Sequence, residues 1–390
     1  MITALFFVVS FIAGMLTYNA LRKRSLWLLA LVIGEFPVHH FVLQVLVTVG
    51  FVAIGAVRGF LGWFALGQMI FSMLGLLVLT ARALRSKGVV AGVLGDAGIE
   101  LNGEVPHALA DVILIQPRLP ESIEEIGGLS YGPDQRHRLD LHRPRSPGGP
   151  LPMLVQIHGG GWRRGSRDTQ GRPLVHHMAE LGWLCASIDY RLSPAATFPD
   201  HLEDVKRAIG WLRENADSWG ADPSYVAVTG GSAGGHLAAL AALTVGEPHL
   251  QPGFESADTS VQACVPLYGI HDLLDRNRVR YPWPFVEATV MKVSPDRDPQ
   301  AWDLASPLTR VTVGAPPFFV LHGSHDFLVP PLESRQFVAA LSAVSDNQVL
   351  YAEIPGATHG FDARHSIRSR HVVHGVESFL HHHYEMAGSR

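Results

Sequence analysis

Residues 1–87 differ from the rest of the chain in their pattern of apolar and polar positions. Residues 2–18 form a nearly uninterrupted apolar run, which is followed at once by the basic residues Arg22, Lys23 and Arg24. Because a helix needs about 20 apolar residues to cross a bilayer, this run predicts a membrane span. A cleaved signal peptide carries its positive charge before the apolar stretch, so we expect this run to be retained.

Two more apolar stretches follow before residue 87. The first, residues 26–57, is interrupted beside Pro37 by three polar side chains: Glu35, His39 and His40. It indicates either one kinked span or a re-entrant piece followed by a span. The polar side chains would suit a proton or ion path at membrane depth, or more simply a polar break near an interface. The second stretch, residues 59–81, predicts a last span.

The distribution of basic residues favours three spans. The six basic residues that flank the first and last spans then fall on one side: Arg22, Lys23, Arg24, Arg82, Arg85 and Lys87. Only Arg58 falls on the other side, whereas four spans would split the charges four against three. The positive-inside rule therefore predicts an integral protein of the cell membrane, with the remainder of the chain in the cytoplasm.

Composition agrees with a membrane segment joined to an acidic body. The 390 residues are 47% hydrophobic and 17% charged, against about 25% charged in a typical soluble protein. Beyond residue 87 lie 24 of the 31 basic and 34 of the 35 acidic residues. An acidic body without basic clusters argues against a nucleic-acid partner. Cys185 and Cys264 lie in apolar runs and are predicted to be buried free thiols.

The body is predicted to be an α/β domain. Residues 88–134 have weak periodicity and frequent Gly and Pro, which indicates a linker packed on the domain formed by residues 135–390. In that domain, apolar strand-like runs alternate with helical patterns. Strands are predicted at 151–157, 184–188, 225–229, 261–267, 317–321 and 349–354, and helices at 202–215, 237–243, 331–344 and 371–384. This alternation is typical of a mostly parallel sheet with helices on both faces.

A candidate nucleophile lies between a predicted strand and a predicted helix. The sequence G-x-S-x-G at 230–234 puts Ser232 where the chain must turn sharply, and such a turn exposes a serine hydroxyl. An ordinary tight glycine turn is the alternative, which the strand-turn-helix context disfavours. The glycines after His158 can present bare amides to an oxyanion, so we expect Gly159, Gly160 and Ala233 to be the donors.

A serine nucleophile needs a base, and the base needs an acid to orient it. Asp326 and His359 each follow a predicted strand, where catalytic groups collect on open α/β sheets. His325 is the rival base, although it precedes the candidate acid. The sequence has no H-E-x-x-H or Cys/His metal motif, and neither a metal nor another cofactor is expected.

These motifs together resemble the α/β-hydrolase superfamily, and within it the hormone-sensitive-lipase-like carboxylesterases. The resemblance extends over residues 139–384 and rests on these pieces: His158–Trp162, Asp189–Pro194, Phe198–Pro199, Gly230–Gly235, His322–Asp326 and Thr358–Phe361. It implies a Ser232-His359-Asp326 triad and a structural role for Asp189 and Arg191. Gly231 stands where that family usually has an acidic residue, and in this respect the chain is similar to feruloyl/acetyl-xylan esterases and arylformamidases.

A cap is predicted over the site, formed by residues 270–311 between two late strands. Its aromatic side chains, together with one from the glycine loop, are the expected substrate pocket: Trp162, Tyr281, Trp283, Phe285 and Trp302. Aromatic walls suit apolar groups, and a body near a bilayer favours lipophilic esters. The resemblance thus implies a membrane-anchored serine esterase acting on small-molecule or lipid esters. Alternatives are an amidase, arylformamidase or peptidase with the same triad, and a non-catalytic membrane scaffold that binds a ligand.

Overall fold

The computed structural model describes residues 1–22, 27–101, 119–280 and 283–388. Four apolar helices come first: α1 (Ile2–Leu21), α2 (Trp27–Glu35), α3 (Pro37–Ala53) and α4 (Gly59–Asp96). By length and composition, α1 and α4 are candidate membrane spans. Helices α2 and α3 are bent by 84° at Phe36, and they add a third candidate if the pair is counted as one span. The break lies beside Pro37, where the sequence predicted a kink or a re-entrant piece.

Helices α1 and α4 run in the same direction. Midway along α1, Ser10 Oγ donates to Gln68 Oε1 of α4 at 3.0 Å, and at the end of α1 the Leu21 carbonyl accepts from the guanidinium of Arg82, later in α4, at 3.1 Å. The chain must therefore return between them, and α3 makes this return. The two ends that carry basic residues, after α1 and late in α4, lie side by side.

Helix α3 leads back to the start of α1. The ring of Phe51, near the end of α3, stacks on Phe6 with 4.8 Å between ring centroids. Because α2 is bent by 84° from α3, α2 lies across the end of the helical bundle rather than along it. There Ile33 packs with Ala20 of α1 and Leu76 of α4.

Among the residues that the structure describes, the body forms one eight-stranded sheet in the order β1-β2-β4-β3-β5-β6-β7-β8. Its strands are β1 (Ile123–Ser130), β2 (Arg138–Pro144), β3 (Leu151–Ile157), β4 (Leu184–Ile188), β5 (Ala221–Gly231), β6 (Ala263–Leu267), β7 (Phe318–Gly323) and β8 (Val349–Ile354). The pairs β1-β2 and β2-β4 are antiparallel, and the other five pairs are parallel. The predicted mostly parallel sheet is confirmed.

Helices cover both faces of the sheet. The helices in the described part of the body are α5 (Arg172–Glu180), α6 (Asp200–Glu214), α7 (Ala216–Trp219), α8 (Ala233–Leu243), α9 (Pro299–Leu304), α10 (Leu332–Ser342) and α11 (Ile367–Gly388). Short 3-10 turns occur at Pro248–Leu250 and Pro307–Thr309, and a π-helical turn at Val286–Met291. Helices α6, α8 and α10 pack on one face. Helices α5 and α11 pack on the other, together with the end of α4.

The segment predicted as a linker, residues 88–134, divides into three parts. Its first part continues α4 as far as Asp96, where Val90 and Leu94 are buried against the body. Its last part contains β1, an edge strand that the sequence analysis missed, and residues 102–118 lie outside the described residues. Helix α4 therefore joins the apolar helices to the body through a shared core.

Candidate active site

Ser232 occupies a strained turn between β5 and α8. Its φ of 59° lies in the left-handed region, which costs a residue other than glycine about 1–3 kcal/mol. The Ser232 amide donates to the Leu267 carbonyl at 3.0 Å. A Cβ added at Gly230 or Gly234 would lie 2.5 or 2.1 Å from the Ile157 carbonyl oxygen. The glycines of the motif are thus required by the close approach of β3 to this turn.

Asp326 and His359 are joined by a hydrogen bond. His359 Nδ1 lies 2.7 Å from Asp326 Oδ2, and the Asp326 side chain is fully buried. The other carboxylate oxygen accepts from the amides of Leu328 and Val329, both at 2.9 Å. The carboxylate is therefore fixed from both sides, and with Nδ1 as the donor to it, Nε2 is the imidazole nitrogen that can act as a base.

A second histidine supports the charge of Asp326. Burial alone would raise the pKa of Asp326, but the imidazoles of His359 and His322 hold this pKa well below its usual value. His322 Nε2 lies 3.3 Å from Asp326 Oδ2, and its Nδ1 lies 2.7 Å from Ser334 Oγ. Asp326 therefore remains ionised at neutral pH, as an orienting acid must.

The two candidate bases differ in their position relative to Ser232. His359 lines the same cavity as Ser232. His325 is not among the described residues that line this cavity. The His325 amide donates to the Ala357 carbonyl at 2.9 Å. The geometry therefore favours His359 as the base.

The glycine loop after β3 lies against the nucleophile turn. A Cβ at Gly159 would lie 2.6 Å from the Gly231 carbonyl oxygen, and one at Gly160 would lie 2.0 Å from the Arg164 carbonyl oxygen. The Gly159 amide, an expected oxyanion donor, donates instead to Gln170 Oε1 at 2.8 Å. Sequence reasoning missed this contact because Gln170 lies 11 residues further along the chain.

Ala233 keeps the position expected of an oxyanion donor. It is the first residue of α8, and the first amides of a helix have no acceptor within that helix. The partial positive charge at the start of the helix also favours an anion beside Ser232. Gly160, another expected donor, lines the cavity that also holds Ser232.

The cavity beside Ser232 has a volume of about 540 Å³ and mostly apolar walls. Three of the aromatic residues predicted for the pocket line it: Trp162, Trp283 and Phe285. Trp302 does not line the cavity, because its side chain is buried in the core and donates through Nε1 to the Val293 carbonyl at 3.1 Å. Tyr281 lies outside the described residues.

Sequence reasoning missed six apolar or aromatic side chains of the cavity wall, among them Ile270 and Ala363. Tyr268 and Leu328 come from loops of the body, whereas Leu28 and Leu31 come from α2. Tyr268 directly follows β6 and could have been suspected from that position. The approach of α2 to the site has no local signal in the sequence.

Tyr268 also explains why residue 231, directly before the candidate nucleophile, is a glycine. Its ring lies 4.6 Å from the His359 ring, and its hydroxyl bonds to Asp362. Burial, and then the Asp362 carboxylate, raise the pKa of Tyr268 well above its usual value, so the hydroxyl stays protonated and donates. A Cβ at Gly231 would lie 2.4 Å from this hydroxyl oxygen. An acidic residue at this position would displace Tyr268.

Gly231→Ala is expected to destabilise the fold by about 1–3 kcal/mol, since even one methyl group overpacks the site. Thermal unfolding would measure the change. Gly314→Ala is the matched control, because a Cβ there meets no atom within 4 Å. Equal unfolding midpoints for the two variants would contradict the role given to Tyr268.

Asp189 and Arg191 hold the loops around the site. The Asp189 carboxylate pairs with Arg167 at 2.7 Å, and Arg191 pairs with Asp204 at 2.7 Å. Asp204 in turn lies 2.9 Å from His137 Nε2. Neither Asp189 nor Arg191 is among the described residues that line the cavity. This position is consistent with the structural role that the resemblance implied.

Within the described ranges, one group of side chains has the spacing of a metal site: His177, His374 and Glu377. It lies between α5 and α11, and its members do not line the cavity beside Ser232. His177 Nε2 and His374 Nδ1 approach the same Glu377 oxygen at 2.7 and 3.2 Å. Although burial opposes it, hydrogen bonding to these two imidazoles lowers the pKa of Glu377 to about 2.

Comparison with known proteins identifies close relatives of the body. The chain is 47% identical over 259 residues to the probable carboxylic ester hydrolase LipM of Mycobacterium tuberculosis, a match that covers 65% of this chain and 60% of LipM. It is 34% identical to the isoprenylcysteine alpha-carbonyl methylesterase ICME of Arabidopsis thaliana, covering 59% of this chain and 55% of that protein. The chain thus spans less than two thirds of the length of either relative.

Solved structures show the same fold. The butyrate-bound esterase 2 of Thermogutta terrifontis superposes with a TM-score of 0.55 at 26% identity, covering 67% of this chain and 96% of that one. The predicted α/β-hydrolase fold is confirmed.

The BD-FAE family model matches residues 139–341, which is more than half of the chain. The matched segment includes Ser232 and Asp326 and ends before His359. The chain therefore belongs to the BD-FAE family, within the hormone-sensitive-lipase-like carboxylesterases of the α/β-hydrolase superfamily.

Proposed function

We propose that the protein is a serine carboxylesterase that hydrolyses lipophilic carboxylic esters at a membrane. The observation that carries this proposal is the 2.7 Å hydrogen bond between His359 and buried Asp326, with His359 on the wall of the cavity that holds Ser232. The names of LipM, ICME and the Thermogutta enzyme, all of them ester hydrolases, support it.

In the mechanism we propose, His359 removes the hydroxyl proton of Ser232 as its oxygen attacks the ester carbonyl. The amides of Gly160 and Ala233 stabilise the oxyanion of the tetrahedral intermediate. His359 then gives the proton to the leaving alcohol, and an acyl group remains on Ser232. Water, activated by the same imidazole, releases the acid and restores the serine. Asp326 holds the imidazole in the required tautomer and orientation throughout.

The walls of the cavity favour an apolar group on the ester. Trp162, Trp283 and Phe285 offer flat apolar surfaces, and burial of apolar area stabilises a bound chain by about 25 cal/mol per Å². The plant relative is named as a methylesterase of isoprenylcysteine, which carries a lipophilic group. These observations support lipophilic esters as the substrate class.

The apolar helices supply the membrane anchor in this proposal. The parallel course of α1 and α4, with α3 returning between them, fits three crossings. Arg22 and Arg82 then lie on the same side of the bilayer, which the positive-inside rule assigns to the cytoplasm. The catalytic body, joined to the end of α4, lies on that side as well.

A matched pair of substrates tests the reaction class. The full-length protein is expected to hydrolyse a p-nitrophenyl ester much faster than the p-nitroanilide of the same acid, because p-nitrophenolate is a good leaving group, whereas the anilide nitrogen must be protonated by the imidazole before it leaves. Release of p-nitrophenol and p-nitroaniline would be followed by absorbance. Faster cleavage of the anilide would favour the amidase alternative.

A further inference from the structure

Helix α2 forms part of the active-site wall. Leu28 and Leu31 line the same cavity as Ser232 and His359. Leu31 lies close to Gly360, the residue after the candidate base, where an added Cβ would be 4.0 Å from Leu31 Cδ2. The cavity is therefore completed by a helix that precedes the first strand of the body by more than 80 residues in sequence.

A buried ion pair anchors the end of α2 to the body. Arg368 of α11 lies 3.0 Å from Glu35 Oε1, and both side chains are almost fully buried. Ser366 Oγ donates to the other Glu35 oxygen at 2.8 Å, and the Arg368 guanidinium also donates to the Gly34 carbonyl at 2.7 Å. Its Nε donates to the Pro355 carbonyl at 2.9 Å. Glu35 is thus an anchor that holds α2 on the body.

The outer surface of α2 is apolar and open. The side chains of Leu28, Leu29 and Val32 are 59%, 45% and 49% exposed. Helix α2 lies across the end of the helical bundle, next to the end of α1. Exposed apolar side chains on a helix in this orientation match the boundary between the headgroups and the acyl chains of a bilayer. Leu28 faces both this surface and the cavity.

We propose that α2 is the bilayer-facing wall of the acyl pocket, and that the substrate is an ester whose long apolar chain enters from the membrane past Leu28 and Leu31. The inference rests on the proposed esterase function. These two leucines are then specificity-determining residues, because the apolar chain of a substrate that leaves the bilayer must lie against them to place the ester carbonyl at Ser232. A short acyl group, which fits between the aromatic side chains, depends on them less.

The test compares Leu28→Trp and Leu31→Trp with Leu29→Trp in the full-length protein reconstituted in phosphatidylcholine vesicles. Leu29 is exposed on the same helix and does not line the cavity, so it is the matched control. The measured quantity is kcat/KM for p-nitrophenyl palmitate divided by kcat/KM for p-nitrophenyl acetate. We expect this ratio to fall about tenfold or more in the two cavity variants, since small changes in the volume of an apolar pocket have effects of that size. The control should keep the wild-type ratio.

An unchanged ratio in both cavity variants would overturn the inference, and so would an equal fall in Leu29→Trp. If a tryptophan variant does not keep the wild-type unfolding midpoint, Leu31→Phe poses the same question with a smaller side chain. Hydrolysis of the acetate ester by the wild-type protein and its absence in Ser232→Ala establish the esterase function separately. Lack of any such hydrolysis would contradict the proposed function, and the inference would fall with it.

Discussion

The Ser232→Ala variant is expected to lose ester hydrolysis by a factor of about 10⁵–10⁶, the range found when a serine nucleophile is removed from a complete triad. The substitution deletes one oxygen atom and leaves the turn between β5 and α8 in place. The His359–Asp326 hydrogen bond, at 2.7 Å, does not involve the serine and should persist. Loss of activity should therefore occur without loss of structure. Steady-state hydrolysis of p-nitrophenyl acetate and circular dichroism would measure the two effects.

Ser218→Ala is the matched control for this variant. Ser218 is an exposed serine in the short helix α7, and its replacement should leave both turnover and unfolding unchanged. Turnover by a folded Ser232→Ala protein close to that of the wild type would show that another group is the nucleophile. In that case the glycines around this turn would have no role in catalysis.

Strands β3 to β8 could be predicted from the sequence because most of their residues are apolar, whereas β2 (Arg138–Pro144), which is rich in charged residues, was missed. Strand β3, for example, sends Met153 and Val155 to one face and Leu154 to the other, and both faces are covered by helices. Such a run stands out without any knowledge of its partners. The bounds of the predicted central strands differ from the observed ones by only a few residues.

The edge of the sheet was harder to predict. Strand β1 has two adjacent glycines at 127–128 and an irregular register with β2 between Ile126 and Leu129. Most of its side chains are partly or fully exposed, so it lacks the apolar pattern of a buried strand. Its pairing with β2 is set by tertiary contact, which a local pattern does not encode.

Some residues of the candidate site could likewise be predicted from the sequence, and others could not. Ser232, Asp326 and His359 are each marked by a local motif at the end of a strand. The remaining wall depends on contacts between distant segments. Tyr268 meets Asp362 across 94 positions, and Glu35 meets Arg368 across 333. No spacing rule in the sequence connects such distant pairs. Gly231 could therefore be recognised from the sequence as unusual, but only the fold explains it.

His359→Ala is expected to lower ester turnover by a factor of about 10⁵–10⁶, because removal of the base alone costs nearly as much as removal of the whole triad. Without the imidazole, the Ser232 hydroxyl keeps its proton at neutral pH and is a weak nucleophile. The buried Asp326 carboxylate also loses its 2.7 Å partner, so some loss of stability is expected as well. Turnover and the unfolding midpoint should be measured on the same preparations.

His325→Ala separates the two candidate bases, since His325 is the residue next to Asp326 in sequence. His325 is not among the described residues that line the cavity of Ser232 and His359, so this variant should keep most of its turnover. The opposite pattern, with His359→Ala active and His325→Ala inactive, would overturn His359 as the base. Equal losses in both variants, with wild-type unfolding midpoints, would mean that proton transfer at Ser232 depends on both imidazoles. In that case a single orienting bond between Asp326 and His359 would not be enough to explain catalysis.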